Sequence, residues 1–300
     1  MDDLLTDALR RLLDDRCTPD VVRAIEAGRA PADPAHNDLW HALEASGFAD
    51  TLLPEAAGGA GLGLHDAFPL IELCGRHALP VPLAPTMLAR ALLAQAGAER
   101  PPGAIALAPV ATRRAGTVRC VQVPYGRVAD FVLTRLDDET LLLPVAAARP
   151  AAEAGAAVFP LDATLEWREA AVLQAQRVPG MFGRADLEAM QALWAAVQIA
   201  GALMTVFERT LRHANERQQF GRPIGKFQAI QHQLAVLSEQ AFAARMAAQI
   251  GCSAAPSTPS TGADAGRDGA PRWAPQRLRV AIAKARTSEA VVEGAAIAHA

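Results

Sequence analysis

Residues 216–231 of the chain read ERQQFGRPIGKFQAIQ, and they lie between two long apolar segments. Gly221, Pro223 and Gly225 disfavour a continuous helix here, because glycine is costly in a helix and proline lacks an N–H donor. A helical period of apolar residues resumes afterwards at Phe227, Ile230, Leu234, Leu237 and Ala241. The sequence therefore predicts two helices that are joined by a short structured segment, residues 217–227, which we call the elbow.

The elbow and the residue that follows it combine a cation, two amides and an aromatic ring, supplied by Arg217, Gln219, Gln228 and Phe220. Such a set suits a ligand that carries both phosphate and an aromatic system. A structural interpretation is also open, in which Arg217 caps the end of a helix and Phe220 fills the core.

The whole stretch resembles the E-R-x-x-F-G-x-x-I-x-x-F-Q-x-I-Q signature of the acyl-CoA dehydrogenases. These flavoproteins introduce a 2,3 double bond into acyl-CoA thioesters. The resemblance implies FAD as the cofactor, an acyl-CoA substrate, and a homo- or hetero-oligomer of similar subunits. It also implies that Arg217 and Phe220 contact an FAD bound mainly by the neighbouring subunit, with Gln219 and Gln228 as further cofactor-binding candidates.

Composition argues against several other classes of partner. The 300 residues are 51% hydrophobic with a net charge of only −3, which calls for neither a nucleic acid nor a membrane surface. The four cysteines are scattered without a C-x-x-C pair, so we expect a reducing, cytoplasmic location and neither disulfides nor a metal site. Residues 189–207 carry no charge, but Gln191 and Gln198 interrupt the run, which favours a buried helix of a bundle over a membrane span.

The order of helical and strand patterns along the sequence predicts three domains. Residues 1–98 form an N-terminal helical domain, 99–180 a middle β domain, and 181–300 a C-terminal helical bundle. Within the middle domain, short apolar runs are separated by turn residues and predict strands near 104–110, 117–123, 130–134, 140–145 and 157–159. The predicted fold class is mainly α with a middle β domain, as in the acyl-CoA dehydrogenases.

The C-terminal part contains a segment of different composition. Residues 252–275 are rich in Ser, Pro, Gly, Ala and Asp, and we expect a disordered, dispensable insertion between two bundle helices. A third helix is predicted from about Gln276. Its periodic pattern still runs at Ala300, so we expect the bundle to be incomplete and the chain to be truncated.

The sequence departs from the family pattern at two places that matter for chemistry. Typical catalytic members carry a T-E-x-x-x-G-S-D segment that lines flavin and substrate, whereas residues 111–116 read ATRRAG here. Most members place the catalytic base on a segment beyond residue 300, and a minority place it at the position of Gln191, where glutamine cannot accept a proton at neutral pH. The family arginine beside that position is Ala192 here.

No catalytic residue is assigned from the sequence. Glu188 is one turn from Gln191, but an acid in the first turn of a helix is common because of the helix dipole. His213 and His232 flank the elbow, and we expect both to be surface or packing residues without a metal-binding spacing. The leading hypothesis is a subunit of an FAD-dependent acyl-CoA dehydrogenase that needs a partner subunit for its base. The alternative is a catalytically inactive scaffold or assembly subunit that keeps the fold.

Overall fold

The computed structural model describes residues 2–28, 34–150, 159–180, 183–253 and 275–300. Five helices come first in the chain. They are α1 (Asp2–Arg16), α2 (Pro19–Ala27), α3 (Pro34–Ala45), α4 (Leu64–Arg76) and α5 (Leu83–Gln95). Local signals set their ends: α2, for example, begins where the Thr18 hydroxyl accepts the Val21 N–H and Pro19 occupies the first helical position.

A seven-stranded mixed sheet follows, with the strand order β5-β6-β2-β1-β3-β4-β7. Its strands are β1 (Ile105–Arg114), β2 (Thr117–Val123), β3 (Phe131–Leu136), β4 (Glu139–Pro144), β5 (Arg149–Pro150), β6 (Ala163–Arg168) and β7 (Gln176–Val178), with the short helix α6 (Glu169–Leu173) before β7. Strands β1 and β3 pair in parallel, and the other pairs are antiparallel.

The alternation of side chains along β1 divides the interior into two cores. Ile105 and Leu107 join the large core shared with the helices, while Ala106 and Ala108 join a smaller core on the other face of the sheet. Fully buried Trp167 is the largest side chain of that smaller core. Each face of the central strand is therefore buried, as the near-continuous apolar run in β1 predicts.

The C-terminal part consists of α7 (Arg184–Glu216), the hairpin strands β8 (Gln218–Gln219) and β9 (Arg222–Pro223), α8 (Gln228–Gly251) and α9 (Arg277–His299). Helix α7 is long and apolar enough to cross a membrane by length and composition, with half of its most apolar window buried. It packs against α4, α8 and α9, and this is the environment of a core helix in a bundle.

The predicted fold class, mainly α with a middle sheet, is confirmed. Helices α8 and α9 end and begin close to the predicted residues Gly251 and Gln276. The division of the chain at residues 98 and 180 stays a prediction. The proposed insertion, apart from residues 252, 253 and 275, and residues 157 and 158 of the last predicted strand lie outside the described residues.

Candidate functional site

The elbow is a small hairpin built on the end of α7. The Arg217 N–H donates to the carbonyl oxygen of His213 at 2.9 Å and closes the last turn of the helix. Strands β8 and β9 then pair across the turn formed by Phe220 and Gly221, which have φ angles of +51° and +78°. Two consecutive left-handed residues are typical of a tight two-residue hairpin turn, and glycine at the second position adopts this conformation without steric cost.

Phe220 projects its ring into solvent. The side chain is 90% exposed, and it contacts Phe227 edge to face, with ring centroids 6.1 Å apart and an interplanar angle of 84°. The guanidinium of Arg222 lies 4.2 Å from the centroid of the Phe227 ring. The interpretation in which Phe220 fills the core is therefore wrong, because the two-residue turn places the ring at the tip of the hairpin.

The polar candidates are also presented on the surface. Arg217, Gln219 and Gln228 are exposed, and within the part of the chain that the structure describes their side chains form no ion pair or hydrogen bond. The backbone of the elbow packs closely against α7. A Cβ atom added to Gly225 would lie only 3.1 Å from the carbonyl oxygen of Ala214 on that helix. A fixed backbone thus presents a cation, two amides and a ring to a ligand or to another chain.

Residues 111–116, where the sequence lacks the family's flavin-lining segment, form strand and turn. Strand β1 continues to Arg114, and Ala115 and Gly116 have φ angles of +47° and +79° in a tight turn to Thr117. The ladder pairs Arg114 with Thr117 across this turn. These residues do not form a loop that presents hydrogen-bond donors to a ligand, because their backbone groups pair within the hairpin.

Gln191 lines a small cleft of about 150 Å³ between the start of α7 and the strands β1 and β2. Thr112, Gln122 and Arg119 supply the other polar side chains of this cleft. Arg119 already forms an ion pair with Glu166, with 3.5 Å between its Nε and the Oε1 of that residue. None of these side chains is a carboxylate free to remove a proton.

The other acid and base candidates lie outside this cleft. Glu188 accepts a hydrogen bond from Arg184 at 2.6 Å on the exposed face of α7, as expected for a surface i,i+4 pair. His213 and His232 are exposed, and no cluster of three potential metal ligands occurs among the described residues. The elbow candidates therefore lie on the hairpin and at the start of α8, with His213 and His232 one helical turn to either side, whereas Glu188 lies near the opposite end of α7.

A buried polar group that the sequence did not indicate lies between α7 and the sheet. The Tyr125 hydroxyl donates to the Leu79 carbonyl oxygen at 3.4 Å and lies 3.3 Å from Oε1 of Gln198. The Tyr125 ring packs on Trp194, with 5.8 Å between ring centroids, and burial raises the pKa of the tyrosine above its ordinary value. These contacts join the helices to the sheet, and Tyr125 has a positive φ of 59°.

Comparisons with known proteins agree with this architecture. The family model described as "Acyl-CoA dehydrogenase, N-terminal domain" matches residues 2–100, and "Acyl-CoA dehydrogenase, C-terminal domain" matches residues 189–300. Acyl-CoA dehydrogenase IpdE2 of Mycobacterium tuberculosis is 32% identical over 267 residues, which cover 87% of this chain and 78% of that protein.

Two solved structures show the same fold. A variant of the steroid ACAD Tcur3481–Tcur3483 superposes with a TM-score of 0.74 at 24% identity, covering 99% of this chain and 85% of the other. The ChsE4–ChsE5 complex from Mycobacterium tuberculosis gives a TM-score of 0.72 at 21% identity, with coverage of 99% and 85%. The two family models and the relative at 32% identity show that this chain belongs to the acyl-CoA dehydrogenase family, whose cofactor is FAD.

Proposed function

We propose that this chain is a subunit of an FAD-dependent acyl-CoA dehydrogenase in which a partner subunit supplies the catalytic base. The exposed elbow carries this proposal. The elbow and the first residue of α8 present a guanidinium and two amides whose side chains form no ion pair or hydrogen bond among the described residues, beside a ring that is 90% exposed. An aromatic ring in solvent beside a cation and two amides offers both apolar and polar contacts, and binding residues often lie on such loops held by a rigid scaffold.

The elbow fits one side of an FAD site. The Arg217 guanidinium suits the pyrophosphate, because its planar fork donates two hydrogen bonds to phosphate oxygens. Phe220 offers an aromatic face and edge beside the cofactor, and Gln219 and Gln228 offer amide donors and acceptors. The chain's own β1–β2 hairpin lacks the polar loop that would hold a flavin ring, so we assign most of the FAD site to the neighbouring subunit.

The reaction removes a proton from the α-carbon of the thioester and a hydride from the β-carbon. FAD, when bound, accepts the hydride. A carboxylate with a suitable pKa is needed for the proton, and Gln191 cannot act as that base. Glu188 is ion-paired with Arg184 on the surface, so it is held away from the cleft of Gln191. Neither Gln191 nor Glu188 is therefore suited to be the base, and we propose that a partner chain supplies it.

The substrate class and the partner are proposed from the relatives. The solved structures of the same fold include a steroid ACAD and a complex of two different chains. We propose an acyl-CoA thioester as the substrate, an acyl-CoA dehydrogenase-type subunit as the partner, and a cytoplasmic location. A thioester that carries a steroid or its side chain is the most informative first substrate to test.

The experiment compares the isolated chain with the chain co-expressed with acyl-CoA dehydrogenase-type subunits from its own genome. Flavin absorbance measures bound FAD, and reduction of an electron-accepting dye measures turnover of short-chain, long-chain and steroid CoA esters. We expect the isolated chain to hold little FAD and to lack activity, and we expect one co-purifying partner to restore both.

Stoichiometric flavin with turnover in the isolated chain would contradict the partner requirement. A stable complex whose FAD content and activity are unchanged when this chain is omitted would favour the scaffold alternative. The Gln191 position and the tight β1–β2 hairpin are the observations behind that alternative.

A further inference from the structure

A second candidate site is a cleft that shares no lining residue with the small cleft of Gln191. A cleft of about 780 Å³ is lined by α1, α2, the end of α4 and the second half of α7. Half-buried Val22, Ala202 and Val206 supply apolar surface that a ligand can contact. Its volume falls in the range of roughly 300–1,000 Å³ that is typical of small-molecule sites.

The charged residues around this cleft are mostly cationic. Five arginines line it, together with two acids, Asp14 and Glu208; the arginines are Arg10, Arg23, Arg76, Arg209 and Arg212. Arg76 donates to both carboxylate oxygens of Glu208, at 3.0 and 3.1 Å, so the charge of that acid is compensated within the protein. The remaining lining therefore favours an anionic ligand.

Two of the arginines are available for such a ligand. Arg10 and Arg23 form ion pairs with Asp7 and Asp20 on their own helices. Arg209 and Arg212, in contrast, are exposed, and their side chains form no ion pair or hydrogen bond within the described ranges of the chain. Residues three apart on a helix are neighbours, with Cβ atoms about 5–6 Å apart. The guanidinium groups of Arg209 and Arg212 can therefore bind the same phosphate.

His77 at the edge of the cleft is exposed to the field of these arginines. Burial lowers the pKa of His77, Asp14 at 3.7 Å raises it, and Arg76, Arg10 and Arg209 lower it further. Arginines from α1, α4 and α7 therefore all place positive charge at the cleft. A positive field above an apolar lining suits a molecule that has an anionic head and an apolar body.

We propose that this cleft binds an amphiphilic phosphate ester, with its apolar part against Val22, Ala202 and Val206 and its phosphate held by Arg209 and Arg212. This site is separate from the elbow, since Arg217 and Phe220 do not line the cleft. The inference does not depend on FAD contact at the elbow or on dehydrogenase activity.

Isothermal titration of the full chain with octyl phosphate tests the proposal. Inorganic phosphate, octanol and octanoate serve as separate arms that isolate the phosphate group, the apolar chain and a simple carboxylate. We expect octyl phosphate to bind at least about tenfold more tightly than each of these, because it alone uses both parts of the cleft. Binding of octanoate as tight as that of octyl phosphate would overturn the phosphate assignment.

The double variant Arg209→Ala/Arg212→Ala should weaken octyl phosphate binding at least about tenfold, the loss expected for charged hydrogen bonds. Its thermal unfolding should match that of the unmodified chain, because neither side chain has a described partner. The matched control Arg11→Ala/Arg168→Ala removes the same charge from exposed residues outside the cleft and should bind normally. Equal weakening in both double variants, or none in the first, would contradict the proposal.

Discussion

Gly201 on α7 lies directly against the backbone of Glu72 on α4: a Cβ added to this glycine would be 2.2 Å from the carbonyl oxygen of Glu72. The same helix pair repeats this contact at Gly75, whose added Cβ would be 2.0 Å from the carbonyl oxygen of Gln198. Since both obstacles are backbone atoms, neither can be relieved by a rotamer change. The two glycines therefore set the distance between the N-terminal helices and the C-terminal bundle.

We predict that Gly201→Ala destabilises the chain by roughly 2 kcal/mol, since an inserted methyl group forces the helices apart. This cost exceeds the gain in helix propensity of about 1 kcal/mol that alanine brings. Chemical denaturation measures the change. Gly183→Ala is the control for a methyl group added without a clash, because the added Cβ would lie 3.7 Å from Asp186 Oδ2 at the N-cap of α7. A larger loss there than at Gly201 would refute the packing argument.

Arg90 connects α5 to two earlier parts of the chain. Its guanidinium donates to both carboxylate oxygens of Asp50, at 3.1 and 3.0 Å, to the Gly103 carbonyl oxygen at 3.1 Å, and to Glu44. The residue is 5% exposed. We predict that Arg90→Met costs about 3 kcal/mol of stability, because two carboxylates then lose their partner in a partly buried place.

The control for Arg90 is the exposed pair between Arg177 and Glu139, whose Nε and Oε1 atoms are 3.2 Å apart. Arg177→Met should change the free energy of unfolding by less than about 1 kcal/mol, since solvent screens the pair. Similar losses in the two variants would show that burial does not decide the strength of the Arg90 contacts.

The burial of His77 predicts that the stability of the chain depends on pH. Burial lowers its pKa in the folded chain, whereas the unfolded chain takes up a proton near the ordinary value of about 6.5. Between these two pKa values the folded chain binds fewer protons than the unfolded chain. The free energy of unfolding is therefore fully present above about pH 7 and decreases as the pH falls towards the pKa of the folded state. His77→Gln should flatten the decline in unfolding midpoint between about pH 7 and 5.

His232→Gln is the reference for this pH series, because His232 is exposed on α8. Its decline in unfolding midpoint should follow that of the unmodified chain. An unchanged pH profile in the His77 variant would contradict the role assigned to burial of this imidazole.

The sequence was sufficient for features that depend on local order. The break at Gly221, Pro223 and Gly225 predicted the elbow, and the resumed apolar period predicted α8. These predictions succeeded because backbone conformation and helical period are set by residues a few positions apart.

Other features depend on distant parts of the chain. Arg90 finds Asp50 and Glu44 at separations of 40 and 46 residues, and Tyr125 meets Gln198 at a separation of 73. The position of the Phe220 ring was also uncertain from sequence, since an aromatic residue more often fills a core than the tip of a hairpin. Nothing in the local pattern identifies such partners, and the arginine cleft likewise assembles only when α1, α4 and α7 pack together.

The most direct test of the account is the affinity of the assembled complex for FAD with Arg217→Ala in this chain. Loss of a charged hydrogen bond should weaken FAD binding roughly ten- to a hundredfold, while the unfolding midpoint of the isolated chain stays unchanged. Arg217→Lys should recover only part of that loss, because an ammonium does not reproduce the guanidinium fork. Arg217 is the C-cap of α7 through its backbone N–H, so a small loss of stability with unchanged FAD affinity would show that its role ends with the helix and would contradict the account.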